Sequence, residues 1–322
     1  MFSKEDMGNG SSKPFTVALV LVNDFALMSY SAVIEPMRAA NKLASEKLYH
    51  WINVPVDTGA ATASSGAVIK ADADLYTTAK LDLILVIAAG DPMSYENPPL
   101  FGWLRKMASR GVMIGGVSGG PVLLAKAGIM KGRRMTVHWE HAPALSEINP
   151  ELLLSHTLYI RDRDRITCAG GVSPLDMMHS LLAEHHGETF ARQVSDWFVH
   201  TNIRPAAGPT RAGIVERYNI SNGTIVQVIE QMTNHLADPL SLSQFAMLVG
   251  RTTRQLNRLF SEYLGQTTMT FYRHLRLDHA KHLLTQTTLS ITEIAFATGF
   301  SSGAHFSQSF KEKFGQPPSS FR

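Results

Sequence analysis

A segment near the end of this 322-residue chain occurs twice. Leu240–Ala246 precedes Gly250, and Leu289–Ala295 precedes Gly299, at an offset of 49 positions. A second apolar pattern follows each glycine at an offset of 50, with Leu256, Phe260 and Leu264 matching Phe306, Phe310 and Phe314. A hydrophobic helix, a glycine turn and a second helix, all repeated, is typical of two helix-turn-helix units. Such a pair can place two helices into successive major grooves of DNA.

The second helix of each unit is expected to present the DNA-reading side chains. In the first unit, the outward residues near the helix start are Arg254, Gln255, Asn257 and Arg258. Arginine and asparagine make bidentate contacts to guanine and adenine. The corresponding set in the second unit is Ser302, Ala304, His305, Ser307, Gln308 and Lys311. This second set lacks arginine, so phosphate and shape contacts are expected to outweigh base reading there.

The distribution of charge agrees with a nucleic-acid partner for the repeated part. Residues 210–322 hold 11 Lys and Arg against 7 Asp and Glu, a net charge of +4. Residues 1–209 have a net charge of −1, so all of the excess positive charge lies in the repeat region. A basic balance confined to one region is a modest electrostatic footprint for DNA.

The first two-thirds of the chain alternate between strand and helix patterns. Continuous apolar runs predict buried strands, and segments with helical spacing lie between them. The expected strands are 16–22, 50–57, 81–88, 112–117, 155–160 and 165–169, and the expected helices are 29–42, 100–109, 121–127 and 173–186. This alternation predicts a three-layer α/β domain around a mostly parallel sheet.

A motif that can carry chemistry lies at the end of the fourth strand. Gly116–Gly120 fits the G-x-S-x-G pattern between a buried strand and a helix, which is the context that a nucleophile elbow needs. Ser118 has two readings. It is either a nucleophile with His138 as its base and Glu35 or a later acid to orient that base, or the wall of a pocket that binds an effector. A serine needs such a base because its own hydroxyl barely ionises.

The remaining residues argue against other classes of protein. The longest apolar stretch, Leu83–Ala89, is too short to span a bilayer. The single cysteine, Cys168, excludes an internal disulfide and is expected to be a small buried hydrophobe rather than a redox sensor. Two histidines three positions apart, His138 and His141, lack a third ligand at convincing spacing, so no metal is expected.

Glycine and proline set the expected domain boundaries. The polar residues 1–14 are predicted to be a flexible leader, and 15–200 the α/β domain. Residues 201–222 contain several glycines and prolines with weak periodicity and are predicted to be a linker. Residues 223–322 complete the chain as an all-α domain.

The C-terminal quarter resembles the AraC/XylS family of bacterial transcriptional regulators. The resemblance rests on Leu289–Ala295, Gly299-Phe300, His305–Ser307, Phe314-Gly315 and Pro317-Pro318. It implies that Arg254, Asn257, Arg258, Ala304, Ser307 and Gln308 face the major groove, with RNA polymerase as a partner. Members of the family often carry a larger polar residue where Gly303 and Ala304 stand.

The first part of the chain resembles the PfpI group of the class I glutamine amidotransferase-like superfamily, which has a flavodoxin-like fold. The points of resemblance are Glu35, the turn at Gly90, the elbow at Ser118 and Thr167–Gly171 before the last helix. Catalytic members carry cysteine at the elbow, whereas this chain has Ser118 followed by Gly119. The resemblance implies an effector pocket formed by Glu35, Gly90, Ser118, Gly119 and His138.

Both resemblances together imply a cytoplasmic transcriptional regulator without cofactor or metal. We expect it to be an activator that binds promoter DNA as a homodimer. The resembled subgroup includes sensors of amino acids and quaternary amines, which favours a small nitrogen compound as the effector. The alternative is an amidohydrolase-like enzyme that uses Ser118 and carries an accessory DNA-binding domain.

Overall fold

The computed structural model describes residues 13–57, 59–77 and 79–322. The expected leader over residues 1–14 therefore lies outside the described residues, apart from Lys13 and Pro14.

A six-stranded sheet forms the centre of the first part of the chain. The sheet consists of six of the strands in this part of the chain, and the other four form two short pairs. In chain order the strands are β1 (Phe15–Leu21), β2 (Tyr49–Pro55), β3 (Ala60–Thr62), β4 (Val68–Lys70), β5 (Leu83–Ala88), β6 (Met113–Ser118), β7 (Arg134–Met135), β8 (Leu153–Leu154), β9 (Tyr159–Asp162) and β10 (Arg165–Cys168). The short pairs are β3 with β4 and β7 with β8. The large sheet has the order β2-β1-β5-β6-β10-β9. All its pairs are parallel except that of β9 with β10. The prediction of a mostly parallel sheet is confirmed.

Both faces of this sheet are buried, as the continuous apolar runs predicted. Alternate residues of a strand point to opposite faces. Val17, Leu19 and Leu21 belong to one core cluster, and the intervening Ala18 and Val20 are equally inaccessible to solvent. A three-layer arrangement follows, because helices must cover each face.

Six helices belong to this part of the chain. They are α1 (Leu27–Ala44), α2 (Pro98–Ser109), α3 (Gly120–Lys126), α4 (Ala142–Ile148), α5 (Ser173–His186) and α6 (Glu188–Trp197). Helices α1, α5 and α6 contact one another and share the core cluster of β1, while α3 packs on β5 and β6 with α2 beside it. The expected strand over 155–160 is shifted, because the hairpin turn lies between Asp162 and Arg165 and β9 begins only at Tyr159.

The last part of the chain is helical. Its helices are α7 (Ile214–Tyr218), α8 (Gly223–Asn234), α9 (Leu242–Leu248), α10 (Thr253–Leu264), α11 (Thr268–Gln286), α12 (Ile291–Ala297) and α13 (Gly303–Phe314), followed by a 3₁₀ turn at Pro318–Phe321. Helices α9 and α10 form the first predicted helix-turn-helix unit, and α12 and α13 form the second. Helix α7 lies within the stretch that the sequence predicted to be a linker.

Side-chain caps fix where the helices of the two units begin. Ser241, Thr252 and Ser290 each form a capping box with the residue three positions later. Ser302 accepts a hydrogen bond from the backbone N–H of His305 at the start of α13. Such caps satisfy backbone donors that a helix end would otherwise leave unpaired. Side-chain caps are thus present in both helix-turn-helix units.

The two turn glycines are constrained for different reasons. Gly250 and Gly299 both have positive φ, 62° and 74°. A side chain at Gly250 would meet nothing within 4 Å, whereas a Cβ at Gly299 would lie 2.4 Å from Pro239 Cγ. Backbone conformation alone favours glycine in the first turn, and packing adds a steric requirement in the second.

Contacts divide the described chain into two compact units. The first runs to His138 and resumes over Leu152–Gly208, and the second contains Trp139–Glu151 together with Pro209–Arg322. Helix α4 thus belongs by its contacts to the helical unit, where it packs on α11. The boundaries drawn from sequence near residues 200 and 222 remain predictions.

Candidate functional site

Helix α10 presents two arginines to solvent. Arg254 and Arg258 lie four residues apart and are both exposed, so they share one face of the helix. Leu256 and Phe260 on the opposite side are fully buried in the core of the unit. The burial of one stripe therefore directs both guanidinium groups outward, where a major groove could be read.

The two amides of α10 are already engaged within the protein. Gln255 Oε1 accepts the backbone N–H of Thr252 at 2.9 Å, and Asn257 Oδ1 accepts that of Thr268 at 3.1 Å. Bidentate reading of adenine needs the amide oxygen as well as the nitrogen. The arginines of α10 are therefore freer than Gln255 or Asn257 to serve as the predicted base contacts.

Helix α13 presents a plainer surface. Ala304, His305 and Lys311 are exposed, while Ser307 is half-buried. The His305 ring packs 5.6 Å from the Phe300 ring, and Gln308 Nε2 donates to Glu312 Oε1 at 3.1 Å. Lys311 is therefore the exposed charge of this set, which agrees with the expectation that α13 contacts phosphate more than bases.

Helix α11 holds the second helix-turn-helix unit in place through an arginine that the sequence did not indicate. Arg276 donates to the carbonyl oxygen of Gly299 at 2.8 Å, and its guanidinium lies 4.6 Å from the centre of the Phe300 ring. Lys313 of α13 pairs with Asp278 of α11 at 2.6 Å. These contacts hold the turn and α13 on the connecting helix. The contact partners are distant in sequence, so no local pattern indicated them.

The elbow has the sharp turn that its motif predicted. Ser118 ends β6 with φ at 61°, beside Ala88 at the end of β5. The Gly119 N–H donates to the Ala88 carbonyl at 2.8 Å. A Cβ at Gly120 would lie 2.0 Å from the Val86 carbonyl oxygen, so only glycine fits this close approach.

Four of the five predicted effector residues lie at or next to the carboxyl ends of β5 and β6. Gly90 follows β5 with φ at 64°, Ser118 and Gly119 form the elbow, and His138 donates its backbone N–H to the Ser118 carbonyl at 3.2 Å. Glu35 differs, since it pairs with Arg38 at 2.6 Å on the same helix and its side chain is 40% exposed. The geometry supports a site around the elbow but leaves Glu35 without a described contact to it.

Ser118 itself is tightly enclosed. Its side chain is buried, and a Cβ at Gly170 would lie 2.6 Å from Ser118 Cβ and 2.9 Å from its Oγ. Gly170 has φ at 87°, which favours glycine independently. This close contact between two loops makes Ser118 a packed wall rather than an accessible nucleophile.

A second serine and histidine arrangement was not predicted from sequence. His179 contacts Ser195 Oγ through Nδ1 at 2.9 Å and Glu188 through Nε2 at 3.2 Å. The adjoining cavity has a volume of only about 10 Å³, about the space of one water. No substrate carbonyl could reach Ser195 there. The three residues join α5 to α6 in a polar network in which His179 and Ser195 are buried and Glu188 is exposed.

Cys168 is a small buried hydrophobe, as expected. It is inaccessible to solvent and its Sγ lies 3.1 Å from Ser173 Oγ. Burial raises the pKa of the thiol to about 11. Because the thiolate is the reactive form, this cysteine is unsuited to redox sensing.

The short stretch His138–His141 brings three metal-ligating side chains together. One ligand atom each from His138, Glu140 and His141 lies within 4.8 Å of the others. Glu140 is the third ligand that the spacing of the two histidines did not indicate. A closed structural zinc site needs four ligands, and the absence of a metal remains a prediction.

A buried carboxylate anchors residues near the end of the first compact unit. Asp176 is fully buried and accepts from the Arg204 backbone N–H at 2.9 Å, from two Arg204 guanidinium nitrogens at 3.0 and 2.6 Å, and contacts His200 Nε2 at 2.9 Å. A charge removed from water needs such partners. His200 and Arg204 are therefore anchored on α5, so the start of the predicted linker over 201–222 is held on this helix.

Family models match both parts of the chain. A helix-turn-helix domain model matches residues 245–322, and the DJ-1/PfpI family model matches residues 16–184. The HTH-type transcriptional regulator GlxA of Rhizobium meliloti is 42% identical over 308 residues, which cover 95% of each chain. The regulator CdhR of Pseudomonas aeruginosa is 40% identical, covering 94% of this chain and 90% of its own. The chain belongs to this family of transcriptional regulators.

The fold of the sensor domain agrees with that of a solved relative. The crystal structure of an AraC family transcriptional regulator from Pseudomonas putida matches with a TM-score of 0.52 at 22% identity, covering 57% of this regulator and all of that chain. Among the described residues, no helix is both long and apolar enough to cross a bilayer.

The family argues against the catalytic reading of Ser118. Close relatives of this regulator over nearly its whole length are named as transcriptional regulators, and promoter DNA is the partner that such a role implies. The predicted regulator is confirmed, and the alternative of an enzyme with an accessory DNA-binding domain is not supported. The enclosed position of Ser118 agrees with this outcome.

Proposed function

We propose that this regulator activates transcription when a small nitrogen-containing metabolite, an amino acid or a quaternary amine, binds beside the elbow. The observation that carries the proposal is the combination of an enclosed Ser118 at the carboxyl ends of β5 and β6 with an outward arginine pair on α10. Ligands of open α/β sheets bind at the carboxyl ends of the strands. The first feature offers a pocket wall, and the second offers base contacts.

Arg254 and Arg258 on α10 are the proposed base readers. A second set of residues, on α13 and at its start, is proposed to contact the phosphate backbone and to fit the shape of a neighbouring groove. The set consists of Ser302, Ala304, His305, Ser307, Gln308 and Lys311. Gln255 and Asn257 position α10 through their capping contacts. The regulator acts in the cytoplasm as a homodimer and recruits RNA polymerase. The effector must bind the active arrangement more tightly than the inactive one, since otherwise it shifts nothing.

A genome-wide map of the purified protein on fragmented source DNA tests the first half of the proposal. A few strong sites upstream of a catabolic or transport operon are expected. Uniform, salt-sensitive binding without preferred sites would contradict sequence-specific reading.

Thermal unfolding with glycine betaine, carnitine or arginine tests the second half. A ligand that binds only the folded state raises the midpoint, by mass action. We expect one of these compounds to stabilise the wild-type protein, and Ser118→Asn to lose that response while keeping operator binding, since asparagine tolerates the left-handed backbone at this position. Ser118→Ala is the matched control, because it removes only the hydroxyl. The same rise for Ser118→Asn as for wild type would exclude the elbow as the effector site.

A further inference from the structure

A cleft within the second compact unit, which contains the helical part of the chain, has the size and lining of a small-molecule site. Its lining includes neither the proposed DNA-contacting residues nor the elbow. Its volume is about 460 Å³, inside the range of roughly 300–1,000 Å³ for small-molecule sites. The cleft is lined by charged and aromatic side chains, among them Glu140, Arg211, Arg217, Tyr218, Lys281 and Phe314.

Three cations of this cleft contact aromatic rings. The Arg211 guanidinium lies 4.1 Å from the centre of the Trp139 ring, and that of Arg217 lies 5.4 Å from Tyr218. The Lys281 ammonium lies 5.1 Å from Phe314. Among the ion pairs of the described residues, none involves any of these three cations. Their charges are therefore available to an added anion.

Cations outnumber carboxylates in the lining of the cleft, since Arg211, Arg217 and Lys281 stand against Glu140 and Asp278. Burial, and then the nearby positive charge of Arg217, lower the pKa of Arg211, and both guanidinium groups line the same cleft. Asp278 in the same cleft is engaged by Lys313 at 2.6 Å. Burial lowers the pKa of His282, so that histidine is neutral at pH 7. Paired guanidinium groups bind carboxylate and phosphate strongly.

The shape of the cleft selects the kind of anion. Phosphates of duplex DNA lie on a convex surface, whereas these cations line a concave space bounded by Tyr218 and Phe314. We propose that the cleft binds a small organic anion whose carboxylate or phosphate contacts Arg211 and Arg217. The remainder of the ligand packs on the two aromatic rings.

Three segments meet in this cleft, all of them within the second unit. Glu140 comes from the segment that contains α4, Arg211 and Arg217 from residues 209–218, and Lys281 from α11 between the two helix-turn-helix units. A ligand there holds the segments in one arrangement. The inference goes beyond the proposed function, because it requires neither an effector at the elbow nor a particular operator.

Isothermal titration of the full chain with succinate, and separately with inorganic phosphate, tests this site. Saturable binding of at least one probe, with one molecule per chain, is expected. Arg211→Ala/Arg217→Ala should weaken that binding at least about tenfold, since two charge-assisted contacts are lost. Lys106→Ala/Arg110→Ala, at the C-terminal end of α2, removes two exposed cations outside the cleft and should leave the affinity within about twofold. The probe that binds identifies the carboxylate or the phosphate as the preferred group.

The double variant should fold, because both arginines are exposed. Its thermal midpoint checks this, and Lys281→Gln is a second variant that should also weaken binding of the probe. Failure of wild type to bind either probe saturably would overturn the proposal. Equal losses in the cleft and α2 variants would overturn it as well, because they indicate general charge attraction. A loss of DNA affinity alone would identify the cleft as a DNA phosphate contact and contradict a small-molecule ligand.

Discussion

At the scale of single residues, Arg254 gives the sharpest test of base reading. Its side chain is exposed at the start of α10, where we propose a bidentate contact to guanine. Arg254→Ala should relax preference at one base pair and cost about 1–3 kcal/mol on the preferred operator. Competition binding against operators with single substitutions measures both effects. An equal loss on every sequence would mean that Arg254 contacts phosphate.

Lys311 on α13 should behave differently from Arg254. It is exposed at a position where no base-reading arginine accompanies it. Lys311→Ala should weaken binding to all sequences alike and reduce the slope of log affinity against log salt by about 1. Titrations at several salt concentrations measure that slope. If the slope does not change, Lys311 lies outside the interface.

Asn257 is predicted to stabilise the protein rather than read adenine. Its Oδ1 accepts the N–H of Thr268, the first residue of α11. Asn257→Ala should lower the free energy of unfolding by about 1 kcal/mol, the usual size of a lost cap. Asn257→Asp keeps the acceptor and should restore stability, which urea unfolding of both variants measures. Unchanged stability of Asn257→Ala, with loss of adenine preference, would return Asn257 to the base readers.

At the scale of elements, the turn after β6 and the loop after β10 meet at the elbow. Gly170 and Gly171 both have positive φ, but only Gly170 faces Ser118. Gly171→Ala should cost about 1–2 kcal/mol for the left-handed backbone alone. Gly170→Ala should cost more, since its methyl group collides with Ser118 Cβ. Urea unfolding compares the two, and equal losses would show that the loops do not pack closely.

The elements that sequence predicted correctly are those whose signal is local. The six apolar residues of β5 are all buried, as its continuous apolar run predicted, and both repeated segments form the expected pair of helices. Helices α4 and α6 were not predicted. α4 has only seven residues, and its buried face packs on α11, more than 100 positions away in the chain. The functional residues show the same difference between local and distant signals. The elbow motif was visible in the sequence, whereas the capping role of Asn257 depends on a partner eleven residues later.

At the scale of the whole molecule, neutral histidines make folding sensitive to acid. Burial, and then the charge of His282, lower the pKa of His279 from 6.5 to about 4. Burial also lowers the pKa of His185, His186 and His274. At pH values between about 4 and 6.5 the unfolded chain binds more protons than the folded chain. The free energy of unfolding therefore decreases as pH falls from about 6.5 towards 4.

Urea unfolding between pH 7.5 and pH 5 measures this dependence. The contribution of His279 should not exceed about 1.4 kcal/mol per pH unit. His279→Gln stays neutral at every pH and should flatten the curve, whereas the same change at the exposed His156 should not. A wild-type stability that is constant over this range would contradict the assignment.

Helix α4 has a consequence for exchanging the parts of such regulators. Trp139–Glu151 is encoded within the sensor portion of the sequence, yet it packs in the helical unit, where Trp139 lies under Arg211 and His141 contacts Gln286 at 3.0 Å. A hybrid protein joined at residue 209 would combine the α11 of one parent with the α4 of another. Working hybrids should therefore carry thirteen residues from the middle of the donor chain along with its C-terminal part.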